Sequence, residues 1–332
     1  RQGRDAFYEG SIANTIDAYM QRIGGDLRLA DLVAHESEWV TPSCAAYRDV
    51  ELCELPPNGQ GFAALRMVNI LKHVNLAQWQ RDDPRVWHYL TEAKRLAFED
   101  VAKYYADPEF ANVPTEWLLS EAYGKARFDL IDPEKAMLQP QSGDAKLEAT
   151  GDTTYLTVAD RNGMMVSLIQ SNYRGMGSGL VPDGLGFMLQ DRGELFSLDP
   201  NHANVYAPGK RPFHTIIPAF VMRDTMPLMS FGLMGGSMQP QGHVQILINM
   251  IDYGMNPQEA GDAARMNHTG GRQPTGEGHD DLLGTLHLEP GVSATTIAEL
   301  KKMGHRVKVV HNGVMFGGYQ GIYRDPENGI YV

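Results

Sequence analysis

Gly151-Asp152-Thr153-Thr154-Tyr155-Leu156-Thr157-Val158-Ala159-Asp160 marks the point at which the chain changes character. Between about Asp132 and Asp152 the hydrophobic periodicity fades into Pro, Gln, Ser, Gly and Asp, the composition of an exposed segment. From Thr153 to Ala159 the residues favour a strand, Asp160-Arg161-Asn162-Gly163 makes a turn, and Met164 to Gln170 returns as a second strand. This hairpin opens a strand-rich half. Further strands are predicted at 215–223, 228–233, 284–288, 306–310 and 318–324. Helices interrupt them from about Gln239 to Tyr253, from Asn256-Pro257, and over 293–303 up to Gly304.

Working back toward Arg1, the pattern is mainly helical. Apolar spacing predicts a helix over 5–22 stopped by Gly24-Gly25, a short one from Leu29, one over Phe62 to Leu71, and a long one over Val86 to Tyr105 closed by Asp107-Pro108. An extended stretch runs through Tyr47 and Val50, and Pro56-Pro57-Asn58-Gly59-Gln60-Gly61 is a loop. Helices flanking two stacked sheets follow as the α+β architecture that buries both kinds of apolar face.

The whole chain of 332 residues, 42% hydrophobic and 21% charged, has the composition of a globular protein. Its 41 acidic against 29 basic residues give a formal charge of -12, which argues against nucleic acid as a partner, since that affinity comes from clustered Lys and Arg. Apolar runs such as Val244 to Ile251 are too short to span a membrane. Cys44 and Cys53 allow one disulfide, but a chain of this size does not depend on it, and two ordinary thiols is the favoured reading. The sequence opens at Arg1 rather than Met and enters a helical pattern at once, so a missing upstream piece is expected. A signal peptide would lie there, which leaves periplasmic, extracellular and cytoplasmic locations all open.

Two features carry chemistry. A threonine hydroxyl is a poor nucleophile unless a base activates it, and at a free chain start its own α-amine, with a reference pKa of about 7.7–8.0, is that base. Cutting the Asp152-Thr153 bond would create such a start, with the Thr153 hydroxyl attacking the preceding carbonyl and water hydrolysing the ester. Gly232-Leu233-Met234-Gly235-Gly236-Ser237 links an apolar strand to a helix, and paired glycines with N–H groups at a helix start suit an oxyanion as well as a plain turn. No Lys-Ser or Lys-Thr follows to make it a phosphate loop, and the glycines of Ser171 to Gly179 lack dinucleotide spacing. None of the eleven histidines stands in a His-Glu-x-x-His pattern, so no metal and no cofactor is called for.

Taken together, Thr153 to Asp160, Gly177-Ser178-Gly179, Gly209-Lys210-Arg211-Pro212, Pro218, Gly235-Gly236-Ser237 and Asp252-Tyr253-Gly254-Met255 resemble the γ-glutamyltransferase family in order and spacing. Upstream, Phe7-Tyr8-Glu9-Gly10, Glu54-Leu55-Pro56-Pro57-Asn58-Gly59 and Glu92 to Phe98 match as well. The resemblance implies an N-terminal-nucleophile hydrolase with an αββα sandwich, self-cleavage between Asp152 and Thr153, and a covalent acyl-enzyme. Water would hydrolyse it, or an amino acid or peptide would accept the acyl group. By the same resemblance, residues 1–152 are the C-terminal part of a large-subunit region and 153–332 a small-subunit region. The two processed halves associate as one unit. Gly235 and Gly236 fall on the oxyanion glycines, and Ser171 on a hydroxyl that supports the nucleophile.

Departures from the family pattern bear on the substrate. Tyr173 replaces an asparagine, His214-Thr215 a serine pair, and Leu195 an aspartate that holds the substrate ammonium, with Glu194 beside it as an acid one residue away. Such changes, with Gln170 to Tyr173 and Gly236 to His243, resemble the branch that includes proteins called cephalosporin acylases. A γ-glutamyl (glutathione-like) acyl group is the first expectation and a glutaryl or other amide side chain the alternative. A non-catalytic peptide-binding member is a third. Arg192 and Arg174 are candidates for an acyl carboxylate or for solvated surface roles, and for His214 and Tyr173 substrate contact and packing beside the pocket both fit.

Overall fold

A computed structural model of the chain describes residues 3–140, 152–272, 275 and 281–332. The helices are α1 (Gly3–Tyr8), α2 (Ser11–Ile23), α3 (Leu29–Val33), α4 (Gly61–Leu71), α5 (Pro84–Tyr104), α6 (Thr115–Leu119), α7 (Glu121–Phe128), α8 (Met238–Ile251), α9 (Pro257–Asp262) and α10 (Ala294–Lys302). The strands are β1 (Ser43–Tyr47), β2 (Val50–Glu54), β3 (Asp152–Ala159), β4 (Met165–Tyr173), β5 (Ala219–Arg223), β6 (Met226–Leu233), β7 (Met266–Thr269), β8 (Thr285–Leu288), β9 (Val307–Val309) and β10 (Tyr319–Tyr323).

A five-stranded antiparallel sheet, in the order β1-β2-β5-β6-β10, is the centre of the molecule. Strands from both sides of residue 152 build it, because β2 pairs with β5. Helices α4 and α8 cover one face and the β3–β4 hairpin packs on the other against β6 and β10. All eleven residues of α4 are buried, as expected for a helix whose sequence is apolar nearly all round. It is clasped by α5, which starts at Pro84 with Asp83 as its cap and carries a buried ion pair to α4, Arg66 Nη2 to Asp100 Oδ2 at 2.8 Å. The outward side of the hairpin carries the cross-strand pairs Leu156–Leu168 and Val158–Val166, all exposed.

The third sheet, β7-β8-β9, is fastened to α8 by glutamines four residues apart on one helix face. Gln245 accepts the Met266 N–H at 2.8 Å and donates to the Met266 carbonyl at 3.0 Å. Gln241 likewise accepts from His268 N at 2.8 Å and donates to its carbonyl at 3.3 Å. Side-chain amides thus take the place of a neighbouring strand along the edge of β7 and leave no buried backbone group there unpaired.

Several expectations are corrected. The helix expected over 5–22 is two, broken where Gly10 turns extended (φ -95, ψ -151). Cys44 and Cys53 form a disulfide instead of standing as thiols, because the β1–β2 register sets them directly opposite one another with Cα atoms 4.1 Å apart. α6, α7 and β7 carry too few residues for periodicity to reveal them. The strand expected from 215 starts at Ala219, since the backbone of 214–217 gives its hydrogen bonds to the Asn58–Gln60 loop and to side chains. Residues 141–151, most of the exposed segment expected before Thr153, lie outside the described residues.

Candidate active site

The hairpin lies antiparallel across β6 in a fixed step. Tyr155 sits over Gly232, where an added Cβ would meet the ring at 2.6 Å, and two residues on, Thr157 Oγ1 hydrogen-bonds Ser230 Oγ. Thr153 lies two residues back along β3, and β6 ends at Leu233, just before Gly235-Gly236. Thr153 itself is 6% exposed. A register shift between Asp152 and Thr154 bulges the strand there, so that Asp152 pairs with Tyr173 and Thr154 with Gln170. Thr153, Thr154, Gln170, Ser171, Asn172 and Gly175 line a cavity of about 230 Å³. The Ser171 hydroxyl accepts the N–H of Tyr173 at 2.8 Å.

Gly235 and Gly236 join β6 to α8 with φ of 122° and 58°, backbone that side chains with a Cβ rarely adopt. Their carbonyls accept the N–H groups of Met238 and Gln239, which turns the chain into the fourteen-residue helix. The first turn of that helix leaves N–H groups without intrahelical partners.

Of the remaining candidates, Tyr173, Arg192 and Thr215 come together in a second cluster. Tyr173 is buried at φ 80, the Arg192 guanidinium carbon lies 5.5 Å from its ring centroid, and Arg192 Nη1 donates to Thr215 Oγ1 at 3.2 Å. Burial draws the Arg192 guanidinium down to about 10 and pushes the Tyr173 phenol up to about 12. His214 is packed against Gly59, and burial, helped by the Arg192 charge, lowers it to about 4, so its ring is neutral at pH 7. Arg174, the other candidate for a carboxylate, is spent elsewhere: its Nε donates to Asp191 at 2.6 Å and its Nη1 to Glu194 at 2.9 Å. Glu194 is therefore not a free acid facing the pocket, and Leu195 is a buried apolar side chain.

Sequence reasoning passed over Gln60, which ties the two clusters together. Buried at the end of the Pro-Pro-Asn-Gly loop, its side-chain amide donates to the carbonyl of Thr215 at 2.6 Å and to that of Gly236 at 2.7 Å. A lone glutamine in a loop carries no signal of that role, because both acceptors are more than 150 residues away. The Gln239 side chain holds the neighbouring Ile217 N–H at 3.1 Å.

Two other features stand apart. A larger cavity, about 430 Å³, opens beside the Cys44–Cys53 disulfide and holds none of these residues. His88 and Glu92, one turn apart on α5, converge with the distant His305 so that their ligand-type atoms lie within 4.8 Å of one another. Their atoms are engaged already: His88 Nε2 donates to the Asp132 carbonyl at 2.8 Å, His305 meets His88 Nδ1 at 2.8 Å, and Glu92 accepts from Arg95 and from Met137 N.

The family model for gamma-glutamyltranspeptidase matches residues 1–332. The chain is 37% identical over 312 residues to the glutathione hydrolase-like YwrD proenzyme of Bacillus subtilis, covering 93% of this chain and 56% of that protein. It is 33% identical to the oxamate amidohydrolase proenzyme of Klebsiella pneumoniae, covering 99% and 60%. The crystal structure of cephalosporin acylase from Bacillus halodurans superposes with a TM-score of 0.88 at 41% identity, covering 98% of this chain and 57% of that one. The chain thus spans little more than half the length of these relatives. Its sheets and helices are those of the α+β, N-terminal-nucleophile αββα sandwich. With its motifs in register from end to end, the chain belongs to the γ-glutamyltranspeptidase family.

Proposed function

We propose that Thr153 is the nucleophile of an amidohydrolase that first cuts its own chain. The Thr153 Oγ attacks the carbonyl carbon of Asp152, the Asp152–Thr153 C–N bond breaks as the ester forms and the nitrogen takes the hydroxyl proton to become the free α-amine, and water then hydrolyses that ester to give back the Thr153 hydroxyl and a carboxylate at Asp152. In turnover, that amine takes the hydroxyl proton while Oγ attacks the substrate amide, and the proton passes to the leaving amine. Water or the amine of an amino acid or peptide then releases the acyl group. The N–H groups at Gly235 and Gly236 would bind the oxyanion in both reactions, with Ser171 supporting the nucleophile. Residues 1–152 and 153–332 would remain one unit after the cut, and the pairing of β2 with β5 across that division supports it.

The observation that most supports this reading is that Thr153 and Ser171 line one cavity at the start of a strand that runs along β6, the strand leading into the glycine pair. A γ-glutamyl amide is the substrate expected from the family. The glutaryl-type alternative gains support from one feature: Asp191 and Glu194 both pair with Arg174, so neither is free for a glutamyl ammonium. N-terminal sequencing and intact mass of the full-length protein, with release of 4-nitroaniline from γ-glutamyl-4-nitroanilide, test the proposal. A second chain start at Thr153 and its loss in Thr153→Ala are the expected results. A single uncut chain, or full activity in Thr153→Ala, would sink it.

A further inference from the structure

Arg192 is a buried cation without a counter-ion. It is 7% exposed, takes part in no ion pair among the described residues, and its Nη2 has no hydrogen-bond partner there. The nearest acids in sequence are committed to another cation, since Arg174 holds both Asp191 at 2.6 Å and Glu194 at 2.9 Å. Leu195, the next residue, is 3% exposed and apolar. The groups that touch Arg192 are the ring of Tyr173 and the hydroxyl of Thr215, its charge helps to depress the His214 imidazole, and Asp191 acts on it through space while its own carboxylate is bonded to Arg174. Taking a guanidinium out of water without an anion costs several kcal/mol, and a carboxylate that arrives with a ligand recovers much of it through charge-assisted, bidentate hydrogen bonds.

The location ties this cation to the reaction. Tyr173 pairs in register with Asp152, the residue before Thr153, and Arg192 lies against its ring. Thr215, which accepts the other guanidinium hydrogen bond, shares the Gln60 amide with Gly236. Arg192 therefore joins the strand that carries Thr153 to the loop that carries the glycine pair.

We propose that Arg192 is the specificity-determining residue of the acyl subsite, and that it selects amides whose acyl half ends in a carboxylate with no amine beside it. The inference rests on Thr153 as nucleophile and narrows its substrate to a dicarboxylic acyl class. The chemistry cuts one way: an ammonium on the same carbon would be drawn into a site that holds a fixed positive charge and, among the described residues, no free carboxylate.

The test compares three 4-nitroanilides, glutaryl, γ-glutamyl and valeryl, on the full-length processed protein and on Arg192→Gln and Arg192→Lys. Glutaryl should exceed both others in kcat/KM by about tenfold or more, and Arg192→Gln should lose about 50-fold or more on glutaryl, mainly in KM, while changing less than about threefold on valeryl. Arg192→Lys should recover part of the glutaryl rate, because it keeps the charge and loses the fork. Self-cleavage before Thr153 reports whether each variant folds, and the preference of the unaltered protein stands without any variant. A processed protein that prefers γ-glutamyl, or that cleaves valeryl as well as glutaryl, overturns the assignment while leaving Thr153 in place. So does an Arg192→Gln protein that self-cleaves and loses both rates equally. An uncut chain that releases no nitroaniline overturns Thr153 itself, and this inference with it.

Discussion

Gln60 and Gly236 are joined by a 2.7 Å hydrogen bond from a buried carboxamide to a main-chain carbonyl, and the same NH2 group reaches Thr215 at 2.6 Å. One side chain thus fixes the glycine pair relative to the segment that carries His214 and Thr215. Gln60→Ala leaves two buried carbonyls without donors and frees the glycine loop to shift. Loss of a preorganised oxyanion donor costs about 10²–10³ in kcat, so Gln60→Ala should fall by roughly tenfold or more and Gly235→Ala, strained at φ 122°, by more. Steady-state kinetics on 4-nitroanilides read the effect, with KM changing less than kcat.

Thr153→Ala should stay a single chain and lose at least about 10⁴-fold in turnover, as expected when the nucleophile of a catalytic unit is removed. The processed protein should show a kcat/KM that rises with pH through an apparent pKa near 7–8, because only the unprotonated α-amine acts as base. A pH profile flat from 6 to 9 would speak against the amine.

The buried Arg66–Asp100 pair gives a stability prediction independent of catalysis. Tyr123 also donates to Asp100, at 2.7 Å, so Asp100→Ala strands a guanidinium and a phenol in the α4–α5 interface. It should cost about 3–5 kcal/mol in urea unfolding, whereas replacing both partners by Arg66→Met with Asp100→Leu should cost much less.

His88 and His305 make the fold acid-sensitive. The Asp132 carbonyl can only accept, so His88 Nε2 carries the proton, its Nδ1 accepts, and His305 Nε2–H donates to it. Both rings are thus held neutral. Burial first, then the partner's and the Arg95 charge, push His305 down to about 3, and burial lowers His88 as well. The unfolded chain binds protons near 6.5 and the native state does not until near 3, so stability is full above 6.5 and falls as pH drops through that window. The slope approaches about 1.4 kcal/mol per pH unit for His305, and His88 adds to it in the same direction. Thermal melts from pH 7 to 4 measure it, and His305→Gln should flatten the curve.

Sequence patterning made the strand-rich half legible because its strands are short, regular and bounded by turns. The start of α9, with Asn256 as cap and Pro257 at the first helical position, was legible for the same local reason, and the structure adds Glu259, which exchanges hydrogen bonds with Asn256 at 2.9 Å. Other elements were not. The strand expected at 215 gave way to segment 214–217 because Gln60, Gln239 and the Asn58 loop compete for its backbone, and β7 is secured by glutamines of α8. These partners are far apart in the chain and have no period to read.

The sequence by itself determined the family, and it singled out Thr153 and the Gly235-Gly236 pair that the proposal rests on, since each lies in contiguous motifs whose order survives without coordinates. Only the tertiary structure decided which charged residues are free. Arg174 and Arg192, equal candidates in the sequence, separate once burial and pairing are known: one is half exposed and held by two carboxylates, the other is buried with none. Charge availability depends on every group within a few ångströms, and those groups come from segments that only folding brings together.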